Sequence, residues 1–261
     1  MKYGFIGCGN MGSAVAKALR KATNQIMITD RSQRAKTIAD ELGIVYADAQ
    51  QVIENSDCIF LAVKPQVMES VLQNLKPALE KKKLLIISMA AGITIGKLER
   101  LLDLELPIIR MMPNTPVAVG DGMIQYCYND LVSEKALSTF CLDMRFCGKL
   151  DHIAEHLIDS ACALSGCGPA YMYMFAEALA DGAVACGLPR DKAIEYAAVT
   201  MSGAAKMLLE TRQHPGTLKD AVCSPGGSTI AGLRALEAHG FRGAVIDCIS
   251  AAYNRNKELG N

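Results

Sequence analysis

Apolar positions in the first half of the chain fall into short β-rich runs, each followed by a stretch of helical period. Tyr3–Ile6 precedes a helical pattern over Met11–Lys21, Ile26–Thr29 precedes one over Gln33–Leu42, and Ile44–Tyr46 closes the group. The alternation resumes with Cys58–Val63, a helix over Val67–Leu79, Leu84–Ser88, a helix over Ile95–Leu102 and Ile108–Met111. Strands and helices alternating at this spacing predict a parallel sheet covered on both faces, because parallel neighbours need crossover connections. Two more strands, near Met123–Tyr126 and Cys147–Leu150, are expected at its edge.

From about His152 the strand-like runs stop, and Ala-, Leu- and Met-rich helical stretches take over at Tyr171–Cys186, Lys192–Thr211 and Phe241–Leu259. A boundary near Asp151 therefore divides the chain into residues 1–151 and 152–261. Parts of the second segment, Ala197–Ala205 among them, are apolar on more than one helical face. Such a helix must be covered on more than one side, which a small bundle seldom manages alone, so a homodimer interface is expected there.

Composition narrows the partners. Lys and Arg number 27 against 27 Asp and Glu in 261 residues, and a chain without excess positive charge has no electrostatic grip for nucleic acid or acidic lipid. The uncharged run Leu84–Gly96 is too short to span a bilayer and is broken by Ser88, Gly92 and Thr94. Residues 1–7 enter a strand pattern at once with no apolar signal core, so a cytoplasmic location is expected. The ten cysteines never adopt a C-x-x-C spacing and read as small buried hydrophobes.

Gly7-Cys8-Gly9-Asn10-Met11-Gly12 follows the first strand and opens the first helix. In that context G-x-G-x-x-G predicts a dinucleotide site. The first glycine makes the tight turn, the second lets a pyrophosphate approach, the third lets helix and strand pack, and the helix N-terminus faces the phosphates through Asn10 and Met11. The fold class is then α/β: an N-terminal Rossmann-type doubly wound sheet followed by an all-α C-terminal dimerisation domain. The second strand ends in Thr29-Asp30-Arg31-Ser32, where the adenosine ribose belongs. Asp30 would accept the 2′-hydroxyl of NAD, whereas Arg31 and Ser32 would hold the 2′-phosphate of NADP. NADP(H) is favoured because guanidinium pairs with phosphate, and NAD(H) stays open. Ala62-Val63-Lys64-Pro65 at the end of the fourth strand and Met89-Ala90-Ala91 after the fifth are expected on the nicotinamide side of the same site.

Ser224-Pro225-Gly226-Gly227-Ser228-Thr229 interrupts a helix-forming region. It reads either as a turn with Ser228 or Thr229 as the next N-cap, or as a backbone nest for a small anion. His152-Ile153-Ala154-Glu155-His156 spells H-x-x-E-H, but His214 and His239 are the only other histidines and no third ligand is evident, so no metal is expected.

Gly7-x-Gly9-x-x-Gly12, Ala62–Pro65, Met112-Pro113-Asn114-Thr115-Pro116, Leu164–Tyr171 and Cys223–Leu233 together, in this order, resemble pyrroline-5-carboxylate reductases. The Ser-Pro-Gly-Gly-x-Thr-Ile segment is the most specific of these. The resemblance implies NAD(P)H-dependent reduction of a small cyclic imine, 1-pyrroline-5-carboxylate, to L-proline by a cytoplasmic oligomer of dimers. On this reading Gly227, Ser228 and Thr229 bind the substrate carboxylate at a helix N-terminus, and Thr229 is catalytic, orienting the ring or relaying the nitrogen's proton. Glu155 matches a position near the substrate and would favour a protonated ring nitrogen. Some relatives carry an asparagine where this chain has Ala221, so no cofactor contact is expected there. A β-hydroxyacid dehydrogenase would share the front and helical back, but Gly166-Cys167-Gly168 leads into Pro169-Ala170-Tyr171-Met172 with no lysine base. A non-catalytic redox sensor would need the glycine turn but not the Ser224–Thr229 segment.

Overall fold

The computed structural model describes residues 1–260. Eight strands form one sheet: β1 (Tyr3–Ile6), β2 (Ile26–Thr29), β3 (Val45–Tyr46), β4 (Cys58–Leu61), β5 (Leu85–Ser88), β6 (Ile108–Pro113), β7 (Gly122–Tyr128) and β8 (Gly148–His152). Their order is β3-β2-β1-β4-β5-β6-β7-β8. All neighbours run parallel except β6 and β7, which pair antiparallel from Ile109 against Tyr128 to Pro113 against Ile124. The short link Asn114–Asp121 explains the reversal, since it is too brief to hold a crossover helix.

β1, β4 and β5 are buried at every position, the pattern of central parallel strands covered on both faces, whereas β2 alternates. One core layer gathers Phe5, Phe60, Val15, Leu19 and Ile28, with the Phe5 and Phe60 rings stacked 4.4 Å apart. The other gathers Leu61, Leu72, Ile86, Leu98 and Ile108 beneath the helices Met68–Lys81 and Ile95–Leu102. Ahead of β8, two helices escaped the periodicity, Ala49–Asn55 and Glu134–Met144. Each begins on a local cap: Asp48 accepts the Gln51 amide, and Ser133 accepts the Ala136 amide. Caps of this kind contribute about 1 kcal/mol each.

The chain divides into two compact units, Met1–Cys167 with Ala252–Asn261, and Gly168–Ala251. The boundary expected after Asp151 thus falls inside the first unit. The residues beyond it are helical in period but pack on the sheet, where Ile158 and Cys162 enter the second core layer.

The second unit is helical throughout, with Gly168–Ala185, Arg190–Thr211, Pro215–Ala221, Ser228–Ala238 and the start of Phe241–Gly260. Its buried hydrophobics are only Ala180, Ala193 and Ala197, while Met174, Val199 and Leu209 stand 75%, 66% and 70% exposed. Three alanines are no core for such a unit, so these faces require an apolar partner. Among the described residues no helix is long and apolar enough to cross a membrane.

Candidate active site

The glycine turn between β1 and helix Asn10–Leu19 needs its three glycines for three different reasons. Gly7 sits at φ +98°, and a Cβ there would lie 2.7 Å from the Ala62 carbonyl oxygen. A Cβ on Gly12 would lie 2.8 Å from the Gly7 carbonyl oxygen. Gly9 is different, because a Cβ there would meet no protein atom within 4 Å. Its bareness serves open space, as a backbone that must admit a ligand requires. Gly9 is also the helix N-cap, no side chain caps it, and the first turn carries no acid, so the amides and the positive end of the helix dipole are available to an anion.

A cleft of about 450 Å³ opens at this turn, lined by Gly7, Gly9, Asp30, Arg31, Val63 and Lys64 among others. Ala62 also lines it, whereas Pro65 begins the single 3₁₀ turn that follows Lys64. It lies where the strand order reverses between β1 and β4, the usual ligand position in doubly wound sheets. Asn10, Met11, Gly12 and Ser32 border the turn without lining the cleft. Met89, Ala90 and Ala91 follow β5 outside it, and Ala90 is buried in the second core layer.

The two signals at the end of β2 separate in the structure. Asp30 accepts the Cys8 amide through Oδ2 at 2.6 Å and the Ser32 amide through Oδ1 at 2.8 Å. Burial works against the Asp30 charge, but these amide bonds outweigh it and hold the carboxyl below its ordinary value. Both carboxylate oxygens are therefore already engaged by the protein. Arg31, Ser32 and Arg34 are exposed beside it, Arg34 reaching Asn10 Oδ1 at 3.2 Å.

In the second unit, Gly226 turns the chain at φ +68° and the Gly227 amide donates to the Ser224 carbonyl at 3.0 Å. Gly227, rather than Ser228 or Thr229, is the N-cap of helix Ser228–Ala238. No side chain caps it and the first turn holds no acid, leaving the exposed Ser228 and Thr229 in a first turn with open amides. The motif thus combines a glycine bend with an uncapped helix N-terminus.

Glu155 lies in the first unit and is held there. Its Oε1 accepts the Ile95 amide at 2.7 Å and Arg110 Nη1 at 3.2 Å, so it caps one helix and neutralises a buried arginine. His152 ends β8 and stacks against Tyr128 with ring centres 5.0 Å apart, so H-x-x-E-H does not lie on one helix. Among the described residues no group of three His, Cys, Asp or Glu is arranged to hold a metal ion. The sequence reading missed Arg110 and Asn114 as structural centres. A charge between Ile109 and Met111 in an otherwise apolar strand was the available signal for the first.

Residues 155–259 match the family model described as pyrroline-5-carboxylate reductase dimerisation, and residues 2–92 match the one described as NADP oxidoreductase coenzyme F420-dependent. The chain is 43% identical over 265 aligned residues to the pyrroline-5-carboxylate reductase of Escherichia coli (strain K12), covering 99% of this chain and 98% of that protein. Among solved structures, the Plasmodium falciparum pyrroline carboxylate reductase with NADP bound superposes with TM-score 0.91 at 36% identity, covering 100% and 98% of the two chains. The Streptococcus pyogenes 1-pyrroline-5-carboxylate reductase gives TM-score 0.91 at 37% identity over 99% and 98%.

Proposed function

The chain belongs to the pyrroline-5-carboxylate reductase family, and from that premise we propose how its residues reduce 1-pyrroline-5-carboxylate to L-proline with NAD(P)H. A dinucleotide fits the first unit: the space beside Gly9 is open, the helix behind it is uncapped, and a cleft of about 450 Å³ adjoins it. Gly7, Gly9 and Gly12 with the amides of Asn10 and Met11 would hold the pyrophosphate. Arg31 and Ser32 would hold a 2′-phosphate, and Ala62–Pro65 with Met89–Ala91 would flank the nicotinamide end. NADPH is the preferred donor on this reading, since Arg31 and Ser32 stand exposed beside the cleft where a 2′-phosphate would lie. When bound, the nicotinamide supplies a hydride.

The substrate carboxylate is assigned to the amides of Ser228 and Thr229, with Gly227 letting the chain fold tightly against Ser224, whose Oγ a Cβ there would clash with. A helix N-terminus favours an anion, and binding through the carboxylate fixes the ring without touching its reacting bond. The imine nitrogen is protonated, the hydride adds to its carbon, the C=N π pair becomes the nitrogen lone pair, and the proton stays on nitrogen. No covalent nucleophile enters. Thr229 is assigned to the ring nitrogen's proton through its hydroxyl. Glu155 is assigned to the substrate side by the resemblance, and its Oε1 also neutralises Arg110 and accepts the first amide of helix Ile95–Leu102.

The enzyme acts as a homodimer through the second unit, and we extend this to a larger assembly of dimers in the cytoplasm, where ten unpaired cysteines are stable. The observation that carries the substrate assignment is the uncapped, acid-free N-terminus at Gly227. Purified protein should consume NADPH when given 1-pyrroline-5-carboxylate and release proline. A preparation that binds NADPH but turns over no imine would refute the reading.

A further inference from the structure

The cofactor cleft has two kinds of wall, both within the first unit. At the ends of β1 and β2 it presents Gly9, Asp30 and Arg31, where pyrophosphate and ribose belong. Beyond them it runs on between Ala49, which opens helix Ala49–Asn55, and the segment after β4, where Val67, Val71 and Leu75 make an apolar wall. Met89–Ala91 lie outside this cleft, so the space suits the adenosine half of the dinucleotide and not the nicotinamide half. An apolar slot next to the ribose is the surrounding that a flat base requires.

One polar side chain stands in that apolar wall. Val71, Asn74 and Leu75 fall at i, i+3 and i+4 on helix Met68–Lys81 and so share a face, and all three line the cleft. The valine and leucine exclude water but do not tell one base from another. Asn74 can, with a carbonyl that accepts and an amide nitrogen that donates. Asn55 spends the same group on the Gln51 carbonyl one turn back, at 2.9 Å. Among the described residues the Asn74 side chain has no such bond, so its amide is exposed and unspent. Together with Ala49 and Leu75 it also lines a second groove of about 240 Å³ between the same two helices, which places it at the boundary where the cleft ends.

We propose that Asn74 is a specificity-determining residue that reads the edge of the cofactor's adenine. Adenine offers N6 as a donor beside N1 and N7 as acceptors, and one side-chain amide meets such a donor–acceptor pair with two parallel bonds. This rests on the assignment of the dinucleotide to the first unit and adds the group that selects its base. Asp30 does not serve in this way, because both of its carboxylate oxygens are bound to backbone amides. Arg31 and Lys64 also line the cleft, but they carry donors only and have nothing to accept the hydrogens on N6. Two bonds of this kind in a cleft open to water contribute about tenfold in affinity.

The test titrates wild type and Asn74→Ala by calorimetry with NADP⁺ and with 1,N6-etheno-NADP⁺, in which a two-carbon bridge closes N1 and N6 and leaves ribose, phosphates and nicotinamide unaltered. Wild type should bind NADP⁺ about tenfold more tightly than the etheno analogue. Asn74→Ala should bind the two within about twofold of each other, having lost affinity for NADP⁺ alone. Its melting temperature should match that of wild type, since Asn74 is exposed. In turnover, its KM for NADPH should rise about tenfold with kcat within about twofold of wild type. A gap that survives in Asn74→Ala would overturn the proposal. So would equal losses for both ligands, which would make Asn74 a wall of the cleft and no more, or a wild type that does not distinguish them. A wild type that binds neither dinucleotide would instead overturn the cofactor assignment beneath it.

Discussion

The Asp30 carboxylate accepts the Cys8 amide at 2.6 Å, joining the end of β2 to a glycine turn 22 residues earlier in the chain. Its other oxygen takes the Ser32 amide, so the side chain braces the glycine turn beside the cleft it lines. Asp30→Ala should weaken NADPH and NADH together, by about tenfold, since the lost bonds shape a turn that both dinucleotides use. Fluorescence titration of both cofactors decides it. A loss confined to NADH would put the carboxylate on the ribose.

The same bonds make a pH prediction. Burial opposes the Asp30 charge but the Cys8 and Ser32 amides prevail, so its folded carboxyl titrates below the ordinary 3.8. A depressed carboxyl contributes stability above its unfolded pKa and loses it as pH falls through the folded one. The melting-temperature gap between wild type and Asp30→Asn should therefore be constant at neutral pH and close as the solution is acidified below about 3.8. A gap that widens in acid would contradict the assignment.

Gly9 and Gly12 should respond oppositely to the same substitution. Gly12→Val forces a side chain against the Gly7 carbonyl and should cost about 1–3 kcal/mol of stability, read as a lower melting temperature. Gly9→Val meets no protein atom within 4 Å at its Cβ, so the fold should melt as wild type while NADPH binding disappears. Retained NADPH affinity in Gly9→Val would move the pyrophosphate elsewhere.

Thr229→Ala should lower kcat/KM for the imine by about 10²-fold, the scale on which a positioned proton donor or acceptor contributes. NADPH affinity should be unaltered, and Thr229→Ser should retain most activity because it keeps the hydroxyl in the same first turn of the helix. Equal losses for imine and cofactor would mean that the two sites are not separate.

What could be read from the chain followed from locality. β1, β4 and β5 are continuous apolar runs between helical periods, and the glycine turn declares itself by its place after a strand, so sheet and cleft were both legible. Asp48 and Ser133 sit at caps that flag the two overlooked helices. The contacts of Arg110 and Asn114 were not legible in the same way. Arg110 meets Glu155 across 45 positions and Asn114 meets Ser165 across 51, and nothing in either neighbourhood names its partner. For the same reason residues 152–167 read as the start of the helical part, although His152 ends β8 and Ile158 and Cys162 are buried with the sheet. Asp30 was ambiguous because residue type alone does not reveal whether a carboxylate serves a ligand or the backbone.

The helical unit offers the last prediction. Tyr196, Val199 and Met207 on helix Arg190–Thr211 are 54%, 66% and 51% exposed, and their spacing with Gly203 places them on one face. In a second unit whose buried hydrophobics are three alanines, such a stripe is stable in water only when a second copy covers it. Val199→Glu puts a charge in the middle of that face, and desolvating it on association leaves an unpaired carboxylate. The variant should sediment as a monomer and lose imine reduction. It should still bind NADPH, because every group lining the cofactor cleft belongs to the first unit. A Val199→Glu protein that stays dimeric would move the subunit contact to another face of the helical unit, and a monomer with full activity would show that the Ser228–Thr229 clamp needs no second copy.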